Sequence, residues 1–373
     1  MTSTPHTLVL GAGIVGTAAA WDLARRGHEV TIADANVPAA AAAADEFGLD
    51  HEQIDVGDIA AVEEAMERHD AVIAAVPYSY GPGLAAAAAT ARCHYFDFGG
   101  NPTIVKEQLR LNARAIANDV AVVPDCGLAP GVANVLAAGL IADAPSEVVE
   151  SVQIHVGCLP QEPRGALRYQ LAFYPGGLIN EYAEPCEIVA GGTTTTVEPL
   201  TRFEQVEWDR WGPLEAFSTA GGTSTMCQVY EGTVQELEYK TLRYPGHGSV
   251  FQAMRELGLF DTQARRVKGV EIAPRSLLLD LLAKRLPSGS PDVVLVRVTV
   301  AAGGSKASLQ MEDFHDGRFS ALARTTAFPA TALCDLVLRG DIRFRGAAAM
   351  HTVADPDRLM RELTQVGVVA VPL

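Results

Sequence analysis

Three glycines near the start of the chain, Gly11, Gly13 and Gly16, stand at G-x-G-x-x-G spacing, with Ala12, Ile14 and Val15 between them. The chemistry this suits is the cradling of a pyrophosphate. The first glycine permits a tight turn, the second lets backbone approach the phosphates, and the third lets a helix pack closely on a strand. The helix that follows aims its N-terminal N–H groups and positive dipole end at the anion. An apolar run, Thr7–Leu10, precedes the motif and a helically spaced segment, Gly16–Arg26, follows it, which is the context such a motif requires. Asp34 closes the next apolar run, 18 residues beyond Gly16. A carboxylate there accepts hydrogen bonds from ribose hydroxyls and repels a 2′-phosphate. Since Ala35-Asn36-Val37 brings no cation, NAD is expected rather than NADP. Two further loops fall where strands should end: Asp55–Asp58, placing Asp55 near the adenine, and Ala75, Val76 and Pro77 near the nicotinamide-side ribose.

A second set of reactive side chains lies further along. Asp125 and Cys126 sit in Pro124–Gly131, at the end of the last strand of the first domain, where a cleft between domains is expected. Residues 211–225 join Glu215 to a glycine-rich stretch carrying Thr219, Thr223 and Ser224. Residues 237–247 gather Lys240, Arg243 and His247. Polar, glycine-rich segments hung on an apolar sheet make a plausible substrate site. Cys126 reads as a small buried residue rather than a nucleophile. The six cysteines are scattered without metal-ligand spacing, so no structural metal is expected and the thiols read as reduced, in a cytoplasmic protein.

These residues must be positioned by two kinds of architecture. The first third alternates strand-like and helix-like segments: strands at 7–10, 29–33, 53–56, 71–75, 94–98 and 120–123, helices at 16–26, 39–47, 59–68, 84–91 and 103–118. That order implies a Rossmann-type parallel sheet covered by helices, over residues 1–130. From 131 to 330 strands dominate, expected at 152–156, 167–173, 186–189, 193–197, 293–300 and 306–311. Helices are expected at 131–142, 250–257 and 275–284, making a mixed, mostly antiparallel α+β domain. Residues 331–373 read as C-terminal helices (330–338 and 357–365) returning to the first domain. The formal net charge of −16 argues against nucleic-acid or anionic-lipid partners and suits a small molecule, including a cationic one. No uncharged apolar run reaches membrane-spanning length, and the polar start, Thr2–Thr7, lacks the pattern of a signal peptide.

The chain resembles the saccharopine dehydrogenase superfamily and, within it, the L-lysine 6-dehydrogenase group. The resemblance runs through the glycine motif, Asp97–Gly100, Pro124–Gly131, Gly177–Tyr182, Gly212–Thr225 and Glu238–His247. The tail from His351 to Leu373 departs from the expected pattern. The resemblance implies a substrate domain that also carries a homodimer contact, and NAD-dependent oxidation at the ε-carbon of lysine. For that chemistry Arg243 is the candidate carboxylate clamp, since guanidinium binds carboxylate bidentately. Its alternative is a structural ion pair. Asp125, Glu215 and His247 are the candidates for taking the amine proton and activating water. Each also has a plain structural reading, as turn, cap or loop residue. Thr219, Thr223 and Lys240 are the remaining candidate substrate contacts. A saccharopine- or opine-type dehydrogenase is the alternative enzyme, and an NAD-binding regulator the alternative that catalyses nothing.

Overall fold

The structure, a computed structural model, describes residues 4–373; Met1–Ser3, including the first residues of the polar start, lie outside the described residues. The chain divides into two compact units. The first comprises residues 1–143, 224–226 and 323–370, and the second residues 144–223, 227–322 and 371–373.

The first unit is built on a parallel sheet of seven strands. Six of them are β1 (His6–Leu10), β2 (Glu29–Asp34), β3 (Asp50–Gln53), β4 (Ala71–Ala74), β5 (His94–Asp97) and β6 (Ala121–Val123). They lie in the order β6-β5-β4-β1-β2-β3, and a short strand, Gly346–Ala347, adds beside β6. The buried stretches Leu8–Leu10, Ala71–Ala74 and Ala121–Val123 are continuous apolar runs, as expected of strands covered on both faces. Strand order reverses between β1 and β4, and ligands of such sheets bind at that switch point. Two expectations shift. The third strand is the polar Asp50–Gln53, with Ile54–Val56 in the loop beyond it, because pairing to β2 rather than side-chain apolarity fixes its place. The segment expected as one helix over 103–118 is two, Pro102–Leu109 and Asn112–Ala117.

Residues 323–370 are held to this unit by an ion network. Arg26 contacts Asp22 at 2.7 Å and Glu362 at 2.8 Å, while His28 Nε2 lies 3.0 Å from Asp335. The helix Ala321–Leu338 is long and apolar enough to cross a membrane by length and composition, yet 83% of it is buried within the protein.

The second unit is a mixed sheet with helices. Its first six strands are β7 (Val149–Pro160), β8 (Cys186–Ala190), β9 (Thr193–Val197), β10 (Glu204–Trp208), β11 (Gly212–Ser218) and β12 (Val234–Arg243). The main path runs β10-β11-β12-β7, then through strands Asp292–Ala302, Ser305–Phe314 and Ala370–Pro372, with β8 and β9 branching from β12. Most pairs are antiparallel; β12 and β7 are parallel. Residues 167–173, expected as a strand, are irregular and pack Leu167, Tyr169, Leu171 and Phe173 into the core. Conversely, much of 211–225 and 237–247, taken as loops from their polar content, is sheet: β11 and β12 pair from Glu215–Arg243 to Ser218–Lys240.

Candidate functional site: a dinucleotide cleft and a buried guanidinium

In the first unit the glycine motif forms the turn between β1 and the helix Ile14–Arg25. Gly11 has φ +99°, and a Cβ there would lie 2.4 Å from the carbonyl oxygen of Ala75. A Cβ on Gly16 would come within 1.8 Å of the Gly11 carbonyl oxygen. Both positions therefore require glycine. Around Gly13, by contrast, a Cβ would meet nothing within 4 Å, which leaves open the approach a pyrophosphate would use. The helix's first hydrogen bond runs from Thr17 N to Gly13 O, so the N–H groups of Ile14, Val15 and Gly16 have no intrahelical acceptor. Asp34 sits at the end of β2, where its oxygens accept from Ala12 N and Asn36 N, each at 2.8 Å. This ties the glycine turn to the carboxylate that would meet the ribose.

Val76 and Pro77, with Tyr78, Gly81, Asp97, Phe98 and Gly99, line an open cleft at the ends of β4 and β5. Ala75 N donates to Leu10 O at 2.8 Å, fastening this loop to β1. Asp55 closes a turn by accepting from Gly57 N at 2.9 Å and is exposed. These residues fit a bound dinucleotide: the glycine turn would hold the pyrophosphate, Asp34 the ribose, and the Val76–Tyr78 loop the nicotinamide end.

Two buried carboxylates stand beside that cleft. Asp97 accepts from Tyr95 OH at 2.8 Å, Gln108 Nε2 at 2.5 Å and Gly99 N at 2.9 Å, and its carboxyl is raised above the ordinary range by burial, which these donors oppose. Asp125, with φ +62°, accepts from Ser224 Oγ and from Gly100 N. Burial pushes Asp125 up to about 7; the Ser224 hydrogen bond opposes this and the nearby Asp97 charge adds to it. A Cβ on Gly99 would overlap Asp125 Oδ1, so the Gly99-Gly100 pair is what allows the carboxylate its seat.

The second unit arranges its candidates differently. Lys240 and Arg243 are an odd number of residues apart on β12, so the pleat turns them to opposite faces of the sheet. On one face Lys240 pairs with Glu204 at 2.8 Å and Glu238 at 3.4 Å, and His155 Nε2 also contacts Glu204 at 2.9 Å. The His155 and Lys240 hydrogen bonds outweigh partial burial and hold Glu204 down to about 2. Lys240 is thus held in ion pairs on this face, while His155 Nδ1 is buried without a hydrogen-bond partner.

On the other face Arg243 is only 4% exposed. Its Nε donates to Tyr182 OH at 3.1 Å, its Nη1 donates to Leu242 O at 3.0 Å, and its guanidinium lies over the Tyr169 ring at 5.2 Å. Among the described residues it has no ion-pair partner within 4 Å, and Nη2 donates to nothing. Tyr182 OH lies 3.0 Å from His247 Nε2, whose Nδ1 lies 3.1 Å from Leu167 O. Because a carbonyl only accepts, Nδ1 carries the proton and Nε2 accepts from Tyr182. Burial, then the Arg243 charge, depresses His247 to about 3. His247 is therefore a neutral, fully engaged imidazole, and it opens the helix His247–Glu256 rather than lying in a free loop.

Glu215 accepts from Gly246 N at 2.8 Å and Gly248 N at 2.6 Å, capping that same helix. Thr219 bonds Thr241 Oγ1 at 2.7 Å, and Thr223 is buried. The structure thus brings Arg243, Glu215, His247 and Thr219 to one side of the second unit's sheet and puts Lys240 on the other, while Asp125 belongs to the first unit. Three residues of this cluster were not singled out from sequence: Tyr169, Glu181 and Tyr182. Only the Gly177–Tyr182 stretch hinted at the last two. Among the described residues no group of three His, Cys, Asp or Glu side chains is placed to hold a metal.

A parallel sheet with this glycine turn defines an NAD-binding oxidoreductase domain. Residues 7–123 match the saccharopine dehydrogenase NADP binding domain, and residues 127–368 match the saccharopine dehydrogenase C-terminal domain. The chain belongs to the saccharopine dehydrogenase family, and it is an NAD-dependent oxidoreductase acting on an amine. Among solved structures it is similar to apo saccharopine dehydrogenase (L-Glu forming) from Saccharomyces cerevisiae, at 18% identity and TM-score 0.81, covering 99% of this chain and 100% of that one. It is more loosely similar to GenD2 from gentamicin A biosynthesis in complex with NAD, at 12% identity and TM-score 0.44, covering 100% and 97%.

Proposed function

We propose that this protein oxidises the carbon–nitrogen bond of a secondary amine derived from amino acids, of the saccharopine or opine type. The observation that carries this reading is Arg243. A guanidinium taken out of water is costly unless an anion pairs with it, and among the described residues no carboxylate lies within 4 Å of this one. Its free Nη2 edge suits a substrate carboxylate. The family models and the name of the yeast neighbour support the secondary amine.

Held by the glycine turn and Asp34, a bound NAD+ would supply the hydride acceptor for oxidation of the carbon beside the nitrogen. Asp125 would take the amine proton and deliver water to the resulting C=N bond, since a carboxyl pushed up to about 7 suits proton transfer near neutrality. Breakage of the C–N bond then releases a primary amine and a carbonyl compound. Asp34 supports NAD over NADP despite the NADP in the family model's name, because a carboxylate at the end of β2 beside the glycine turn would repel a 2′-phosphate and 35–37 hold no cation.

One observation favours a second reading, oxidation of the ε-amine of L-lysine to allysine and ammonia, with cyclisation to 1-piperideine-6-carboxylate. A substrate with several carboxylates needs more than one arginine, and Arg164 and Arg168 are exposed while Arg243 is buried. A panel of saccharopine, other opine-type amines, L-lysine and ornithine, read as NADH or NADPH formation at alkaline pH, tests both. Faster turnover of secondary amines with NAD+ is expected. Faster turnover of lysine transfers the assignment to the second reading, and none with any amine overturns both.

A further inference from the structure

Glu181 ends the helix Pro175–Glu181, and its backbone carbonyl accepts from Ala220 N at 2.9 Å. Its side chain is half-buried and accepts no hydrogen bond from any described residue. It adjoins Tyr182, whose hydroxyl accepts from Arg243 Nε at 3.1 Å, and its charge is felt by Arg243, Tyr169, Tyr182, Tyr239 and Cys158. The other candidate carboxylate on this face, Glu215, is already engaged, capping a helix with both oxygens. The second unit therefore presents an unfilled donor edge on Arg243 and an unfilled acceptor on Glu181 within electrostatic reach of it.

We infer that Glu181 is a specificity-determining residue that accepts hydrogen bonds from the α-ammonium of the substrate while Arg243 holds its α-carboxylate. The argument is one of spacing. The two charges of an amino-acid head are joined through a single carbon, so a cation and an anion set near each other read both at once. A carboxylate serving the reacting nitrogen of a long amine would stand away from the clamp. Burial pushes Glu181 up to about 7, which Arg243 opposes, so an arriving ammonium would settle the carboxylate in its ionised form. The inference rests on the amine-oxidising reading for its biological sense, but its test does not need turnover.

Calorimetric titration of the NADH-loaded protein with L-norleucine and with hexanoate isolates the head group, because neither ligand carries an oxidisable distal amine. The wild type should bind norleucine at least about tenfold more tightly than hexanoate, the scale of a charge-assisted hydrogen bond. Glu181→Gln should bring the two within about threefold by weakening norleucine alone, and Glu181→Asp should restore part of the preference. NADH affinity reports that each variant is folded. Equal affinities in the wild type, or an undiminished preference in Glu181→Gln, would overturn the inference. A persistent norleucine preference in a protein that oxidises no amine would overturn only the proposed activity.

Discussion

The glycine turn of the first unit and the Arg243 face of the second are both prepared for anions, but by different means. The turn uses backbone N–H groups left over at a helix start, and its design is what it lacks: side chains at residues 11, 13 and 16. The Arg243 face uses a full charge held in a buried place with no carboxylate of the described residues paired to it within 4 Å. The first device is cheap to keep empty, since exposed N–H groups meet water. The second is costly when empty, and that cost is what a carboxylate relieves on arrival. The difference suggests that the turn provides tolerance of a bulky cofactor, and the guanidinium discrimination among small substrates.

The comparison breaks most visibly at Gly16. An alanine methyl there would press on the Gly11 carbonyl, a backbone atom that cannot swing aside. Gly16→Ala should cost about 3 kcal/mol or more of dinucleotide affinity or fold stability. NADH fluorescence titration combined with thermal unfolding would measure it. Binding like that of the wild type would mean the turn is looser than its contacts imply.

The two devices were unequally legible. Gly11, Gly13, Gly16 and Asp34 could be read from spacing because a strand, a turn and a helix a few residues apart determine their geometry. The Arg243 face could not be read that way. Arg243 meets Tyr182 from 61 residues away, and Glu215 meets Gly246 and Gly248 across a strand pairing. Polar side chains on β11 and β12 resembled loop composition, and only their partners in the sheet make them strands. His247, flanked by Gly246 and Gly248, looked unconstrained; in the fold those flanking N–H groups are what Glu215 caps. Arg243 itself was visible by residue type, whereas the lack of a direct ion pair was not, because that is a tertiary fact.

Asp125 tests whether proton transfer belongs to the first unit. The carboxyl must be ionised to accept a proton, and its raised value means that this form is gained as pH rises through about 7. The rate should therefore climb over that interval and flatten above it. Asp125→Asn should lower kcat by about a hundredfold and remove that limb of the profile. A variant that keeps both rate and limb would return Asp125 to a structural role, bonded to Ser224 and Gly100.

The smallest expected effect falls on Glu215, and it sharpens the contrast within the second unit. Glu215 pairs with Arg243 across the strands and Glu181 acts on the same guanidinium, and sequence offered Glu215, with Asp125 and His247, as a candidate proton acceptor. Its two oxygens, however, already satisfy the N–H groups of Gly246 and Gly248, two of the donors that the start of helix His247–Glu256 cannot bond internally. A carboxylate in that position also complements the helix dipole. Glu215→Gln keeps the size and one acceptor but loses the charge and the second acceptor, so a cap-sized loss of about 1 kcal/mol is expected. That would appear as a lowered denaturant midpoint with an unchanged slope. Turnover at saturating substrate should stay within a few-fold of the wild type, because the helix still forms and His247 remains bonded to Tyr182. A hundredfold loss of kcat with undiminished stability would invert the assignment, making Glu215 the reacting carboxylate and its bonds to Gly246 and Gly248 the means of aiming it.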